Sequence, residues 1–96
     1  MIKHIVMWKL KEPKAENAAK AREALETCRD AVPGILKYEI GEDIGVDAGP
    51  WDIVLYSEFT DREALAAYQV SAPHVVVKSV LGPLRESRAA VDYESA

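Results

Sequence analysis

The stretch WDIVLYSEFTDREALAAYQV, residues 51–70, changes its hydrophobic period at its midpoint. In the first half one face carries mainly apolar residues at every second position, which predicts a strand that begins at Trp51 and ends at Phe59. The second half begins with TDRE, a capping box in which Thr60 is the N-cap and Glu63 reaches back to it. We therefore predict a strand that passes almost directly into a helix, which runs from Asp61 to Val70.

Three elements are predicted on the N-terminal side of this stretch. Residues 2–10 alternate as a strand with large apolar groups on both faces. Residues 13–32 are rich in Ala, Glu and Lys and predict a helix, which Pro33-Gly34 ends. Residues 35–44 predict the second strand. The helix carries an apolar stripe at three- to four-residue spacing, formed by Ala18, Ala21, Leu25, Cys28 and Val32.

On the C-terminal side, Pro73 suits the first turn of another helix, where its missing N–H costs nothing. Gly82-Pro83 predicts the end of that helix, although the valines at 75–77 also fit a strand. Residues 88–93 predict the last strand. The order β-α-β-β-α-β is that of an α+β, ferredoxin-like sandwich, and we predict one such domain over residues 1–96.

The sheet of this sandwich is predicted to need a second copy of the chain. Right-handed crossovers place the helices on one face, so the other face is left open. We expect that open face to be lined by apolar strand residues that are too apolar to remain in water, and a homodimer covers it most simply. The expected lining residues, which are also the predicted ligand-binding residues, are His4, Val6, Trp8, Ile53 and Leu55.

Composition excludes several classes of function. The chain has 96 residues, 49% hydrophobic and 29% charged, with a net charge of −4, which argues against disorder and against a general nucleic-acid binder. No apolar run is long enough to span a membrane. The N-terminus is too short and mixed for a signal peptide, and Cys28 is the only cysteine, so we expect a cytoplasmic protein without a membrane partner.

Several short motifs occur in one order along the chain. These are KHIV at residues 3–6, PGI at 33–35, EALAAY at 63–68, Pro73, and SRAAVDY at 87–93. In this combination the chain resembles the stress-responsive dimeric α/β-barrel (Dabb) domain family over nearly its whole length. The resemblance implies a homodimer whose two sheets close into a barrel, with a small-molecule pocket in each barrel.

One member of that family is a plant polyketide cyclase, and the resemblance extends to its proposed catalytic pair. Tyr68 and His74 have the spacing of that pair, and His4 matches a pocket histidine on the first strand. The resemblance thus implies acid–base chemistry without a cofactor on a carbonyl or polyketide-like substrate, and a small apolar or phenolic ligand. The chain departs from the cyclase at Ile53, where the cyclase has a histidine, and at Ala72, where the family often has another, so its substrate is not carried over.

The residues themselves leave two functions open. His74 lies at a predicted helix N-terminus, which disfavours imidazolium, so the neutral ring is suited to act as a general base. The alternative is that His74 holds the helix start, Tyr68 packs in the core, and His4 has a structural partner. Two histidines without a carboxylate at ligand spacing predict no metal site. The enzyme hypothesis therefore stands beside a non-enzymatic, stress-related or structural dimer, and fold analogy adds the cofactor-less monooxygenases.

Overall fold

The computed structural model describes residues 1–96 as four strands and three helices. The elements are β1 Ile2–Leu10, α1 Lys14–Glu26, β2 Ile35–Glu42, β3 Ile53–Phe59, α2 Arg62–Val70, α3 Ala72–Leu84 and β4 Arg85–Glu94. The strands form one sheet in the order β2-β3-β1-β4, and every neighbouring pair is antiparallel. This confirms the predicted α+β ferredoxin-like fold. No helix has the length and apolar character needed to cross a bilayer.

The core lies between the sheet and the helices, and it corrects the predicted assignment of sheet faces. His4, Val6 and Trp8 are at most 5% exposed within the single chain, because they face the helices. Ile53 and Leu55 on β3 are buried in the same layer. The prediction that these five residues line the open face is wrong. Period two separates two faces but does not say which one the helices cover, and both faces of β1 carry large apolar groups.

The open face is formed by the alternate residues of each strand, whose side chains point away from the helices. On β1 it carries Ile5 and Met7, which pair with Val91 and Ala89 of β4. On β3 it carries Val54 and Tyr56, and the rim is charged. Val91 is 52% exposed and Tyr93 45% exposed, so this face keeps substantial apolar surface in contact with water. The argument that the open face needs a cover therefore applies to a different set of residues from the predicted one.

The N-cap of α2 is Asp61, and the prediction of Thr60 is wrong. The Asp61 carboxylate accepts a hydrogen bond from the Ala64 backbone N–H at 2.8 Å, which satisfies one free donor of the first turn. Thr60 instead donates its own N–H to the Gly34 carbonyl at 2.9 Å. Gly34 has a φ of 93°, and a Cβ there would lie 2.8 Å from Thr60 Oγ1, so glycine permits this close approach.

The bounds of several elements differ from the predictions. Helix α1 ends at Glu26, because the chain then forms tight turns in which the Cys28 N–H donates to the Leu25 carbonyl. Strand β2 ends at Glu42 and β3 begins at Ile53, so the loop between them is longer than expected.

The predicted stop at Gly82-Pro83 is also wrong. Helix α3 continues to Leu84 with Pro83 inside its last turn, where the missing N–H removes one backbone bond without ending the helix. The Arg85 N–H then donates to the Leu81 carbonyl. Strand β4 starts at Arg85 without a loop and is longer at both ends than the predicted residues 88–93.

Candidate active site

A cavity of about 520 Å³ lies between the helices and the sheet, beside strands β1 and β4. Its inner wall is apolar and aromatic, and exposed residues of α2, α3 and β4 form its rim. Six of the seven predicted site residues line it: His4, Val6, Trp8, Leu55, Tyr68 and His74. The seventh, Ile53, is buried in the same layer but does not reach the cavity. Leu25, Val77 and Leu81 complete the apolar part of the wall.

Tyr68 lies at the centre of an aromatic group at the inner end of this cavity. Its ring centroid is 4.8 Å from that of His74 and 6.2 Å from that of His4. The ring is fully buried because α2 places Leu65 and Tyr68 on one face, three residues apart. Phe59 lies against the same ring, with centroids 5.2 Å apart. Tyr68 therefore forms a wall shared by both histidines.

The Tyr68 hydroxyl is fixed by a buried hydrogen-bond chain. It lies 3.2 Å from the Tyr38 hydroxyl, which donates its own proton to the Leu25 carbonyl at 2.7 Å. Tyr68 is consequently the donor between the two phenols. Burial raises the pKa of Tyr68 to about 12 and raises that of Tyr38 as well, so both phenols stay protonated at neutral pH. Tyr68 presents its ring to the cavity and its hydroxyl to Tyr38.

His74 is the third residue of α3 and is half-buried. Its Nδ1 donates to the Gln69 carbonyl at 3.0 Å, near the end of α2, which leaves Nε2 as an acceptor. Desolvation lowers the pKa of His74 below its usual 6.5, against the effect of that hydrogen bond. Positive charge on Lys78, His4 and Arg88 lowers the pKa further. His74 is therefore a neutral imidazole at neutral pH.

His4 has a partner that the sequence did not reveal. It is 2% exposed, and its Nδ1 pairs with an oxygen of Asp92. The two residues meet because β1 and β4 are antiparallel and place His4 directly opposite Asp92. The sequence did not reveal this carboxylate because Asp92 is 88 residues from His4 along the chain. A carboxylate that accepts from Nδ1–H orients the ring and leaves Nε2 for other groups.

Three basic residues at the cavity were also missed in the sequence. Lys78 of α3, Arg85 at the start of β4 and Arg88 on β4 all line it. They are far apart in sequence, and charged side chains in an acidic chain are ordinarily solvated surface, so their convergence depends on the fold. The register of β1 with β4 places Arg88 opposite Trp8 on the helix side of the sheet, and the sequence does not reveal that register.

The groups available for chemistry at the cavity are two imidazoles rather than a cluster of metal ligands. No group of three or more His, Cys, Asp or Glu side chains is close enough to hold a metal ion. Cys28 is buried near the two phenols, and burial raises the pKa of its thiol, which makes it a poor nucleophile. The cavity instead presents two imidazoles with their Nδ1 atoms occupied.

Comparison with known proteins identifies relatives of the whole chain. Residues 2–95 match the family model of the stress responsive A/B barrel domain. A dimeric protein of unknown function with a ferredoxin-like fold from Bacteroides fragilis is 33% identical, with a TM-score of 0.84 over 98% of this chain and 95% of that one. No curated protein matches the chain significantly.

Two further structures are similar at lower identity. A dimeric ferredoxin-like protein of unknown function from Thermobifida fusca is 23% identical, with a TM-score of 0.89 over 98% of this chain and 90% of that one. The hydroxynitrile lyase from Passiflora edulis is 16% identical, with a TM-score of 0.81 over 96% of this chain and 90% of that one. At these identities the likeness establishes a shared fold.

Proposed function

The chain belongs to the stress responsive A/B barrel domain family, and from that membership and its cavity we propose a homodimer that performs acid–base chemistry. The proposed reaction is a cyclisation or isomerisation of a small carbonyl compound and needs no cofactor. The observation that carries the proposal is the placement of His4 and His74 next to the Tyr68 ring at one cavity. We further expect the protein to be cytoplasmic, since its one cysteine is a free thiol.

The two imidazoles are suited to opposite halves of a proton transfer. His74 is kept neutral by burial and by neighbouring positive charge, so its Nε2 is free to remove a proton from the carbon beside a carbonyl. His4 donates its Nδ1–H to Asp92, so a proton added at its free Nε2 gives an imidazolium that lies beside a carboxylate. In that form His4 Nε2–H donates to the carbonyl oxygen as negative charge develops there. The proton taken by His74 is returned to the product at a second carbon or oxygen.

Tyr68 has a positioning role in this proposal. Its hydroxyl proton is directed to Tyr38, so the ring face, rather than the hydroxyl, is what a bound aromatic or enol group contacts. Ring contacts of this kind add roughly 0.5–1.5 kcal/mol beyond area burial. The Tyr68 ring would therefore hold a planar carbonyl compound, with Nε2 of His4 and Nε2 of His74 near the edge that reacts.

The homodimer is supported by the open face of the sheet and by the related protein from Bacteroides fragilis. That protein is dimeric and one-third identical in sequence. The open face carries Ile5, Met7, Val54 and Tyr56 in the middle and charged groups at its rim. A second copy would bury this apolar centre and add to the limited core that a chain of this length can form.

NMR with ortho-hydroxyacetophenone, a small neutral phenolic ketone, tests the proposed site. Binding in the cavity is expected to shift the ring signals of His4 and His74 and the indole N–H signal of Trp8. The indole of Trp51 is an internal control, because Trp51 does not line the cavity. If titration with this ketone, with related phenols and with the acidic aromatic ketone benzoylpropionate leaves the signals of both histidines and Trp8 unmoved, the enzyme proposal fails and the non-enzymatic dimer is the better account.

A further inference from the structure

The rim of the cavity carries a local excess of positive charge. Lys78, Arg85 and Arg88 line it, and no Asp or Glu is among the lining residues. The chain has sixteen acidic and twelve basic residues, so a local excess of cations runs against its composition. An arrangement of this kind indicates a binding preference for negative charge.

None of these three cations is neutralised within the chain. The seven ion pairs of the structure use other basic groups, among them Lys9, Lys14 and Arg22, and one of them, His4–Asp92, borders the cavity. Two further unpaired lysines, Lys3 and Lys37, lie over the rings of Tyr93 and Tyr56. Lys78, Arg85 and Arg88 have neither a carboxylate nor an aromatic ring as partner, although they lie at the same cavity.

We propose that the cavity selects a small carboxylate, with an apolar or aromatic body against Trp8 and Leu55 and its carboxylate at Arg88, Arg85 and Lys78. The guanidinium fork matches the two oxygens of a carboxylate, and the lysine adds a mobile point charge. This inference rests on the proposed function, because it names the substrate class of the same site. The substrate is then an acidic carbonyl compound rather than a neutral ketone or phenol.

The electrostatics of His74 give this inference a second consequence. Lys78 and Arg88 are close enough to lower the pKa of that imidazole. A carboxylate bound between them cancels part of their field, so the bound acid raises the pKa of His74 and makes it a stronger base. A neutral ligand in the same cavity lacks this effect. The charge of the substrate would thus help to activate the group that removes the proton.

Naphthoate and its uncharged amide, naphthamide, form a matched pair of fluorescent probes for this test. Wild-type protein is expected to bind naphthoate about tenfold or more tightly than naphthamide, the difference typical of one charge-assisted contact. Arg88→Gln and Lys78→Gln are expected to weaken naphthoate binding by a similar factor and to leave naphthamide binding unchanged. Lys11→Gln is the control, since Lys11 is exposed, unpaired and outside the cavity.

The outcomes separate this inference from the proposed function. Equal affinity for naphthoate and naphthamide, unaffected by Arg88→Gln, overturns the preference for an acid while the cavity remains a ligand site. A loss of naphthoate affinity in Lys11→Gln equal to that in Arg88→Gln also overturns it, because the effect is then one of net charge alone. Failure of the proposed function is seen separately, when neither the neutral ortho-hydroxyacetophenone nor the acidic ketone benzoylpropionate shifts the NMR signals of His4, His74 and Trp8.

Discussion

At the scale of single residues, the site depends on hydrogen bonds that decide which nitrogen of each imidazole is free. Gln69 occupies Nδ1 of His74, and Asp92 occupies Nδ1 of His4. Both rings therefore use Nε2 for any other contact. The neighbours differ in charge: cations surround His74, whereas a carboxylate accompanies His4. Two chemically identical side chains are thus suited to different roles by their neighbours.

The lowered pKa of His74 predicts a loss of stability on acidification. Below about pH 6.5 the unfolded chain binds a proton at this residue that the folded chain does not bind until lower pH. The free energy of unfolding should therefore fall as the pH decreases from 6.5 to the folded pKa, and His74 should add nothing to this dependence above that range. Urea unfolding at about pH 7 and at about pH 5.5 measures this loss of unfolding free energy, because histidine titrates between these two values.

His74→Gln is the comparison variant for this measurement. It keeps a side-chain amide donor and removes the titration, so it should lose less stability than the wild type over the same pH interval. His4 is present in both proteins, and the difference therefore isolates His74. An equal loss in both proteins would show that His74 titrates alike in the folded and unfolded chains.

At the scale of elements, the boundary between β3 and α2 joins two parts of the core. Phe59 ends the strand beneath Tyr68, and Asp61 starts the helix that carries Tyr68. Thr60 between them is tied to Gly34, at the turn before β2. These three consecutive residues therefore contact different parts of the fold: the Tyr68 ring, the turn before β2 and the first turn of α2. Together they set the position of the Tyr68 ring.

The cap of α2 gives a prediction that distinguishes Asp61 from Thr60. Asp61→Ala removes the acceptor of the Ala64 N–H and should cost about 1 kcal/mol of stability. Thr60→Ala keeps that acceptor and the backbone bond to Gly34, so it should cost clearly less. Thermal unfolding of both variants measures the difference. A larger loss of stability for Thr60→Ala than for Asp61→Ala would show that Thr60, and not Asp61, is the N-cap of α2.

The sequence predicted the element types well because hydrophobic period and turn residues act locally. It misplaced the cap because Thr60 and Asp61 are adjacent and both are good cap residues. It misassigned the faces of β1 because Ile5 and Met7 on one side are as apolar as Val6 and Trp8 on the other. Which side the helices cover depends on the path of the whole chain.

The sequence predicted only the part of the candidate site whose residues are close together along the chain. His74 and Tyr68 are six residues apart, so their proximity follows from local structure and from the family resemblance. The partner of His4 is 88 residues away, and only the register of β1 with β4 brings Asp92 to it. The cations at the rim belong to α3 and β4 and converge in the same way. Long-range pairing of this kind has no signature in local period or spacing.

At the scale of the whole molecule, the two faces of the sheet have separate tasks. The helix-covered face supplies the core and the cavity. The open face is apolar at its centre and charged at its rim, the composition of an interface between two subunits. Because the cavity lies on the opposite side, changes to the open face and changes to the cavity can be made independently.

Val91→Asp tests the proposed dimer through the open face. Val91 is exposed in the single chain and pairs with Ile5, so a charge there should be tolerated by the monomer and should disfavour a buried interface. We expect light scattering to find wild-type dimers and Val91→Asp monomers at micromolar concentration. Val75→Asp is the control, since Val75 is as exposed but lies on α3. A wild-type monomer, or dimers with Val91→Asp, would contradict this interface.

The central claim is that this cavity moves protons on a carbonyl compound, and exchange in deuterium oxide tests it most directly. The probe is benzoylpropionate, an aromatic ketone with a carboxylate, and NMR follows the exchange of hydrogen at the carbon beside its ketone. Wild-type protein and Lys11→Gln are expected to accelerate the exchange. His74→Gln should lose about a hundredfold or more of that acceleration, the usual contribution of a general base. Exchange at the same rate with and without wild-type protein, or undiminished by His74→Gln, would contradict the account.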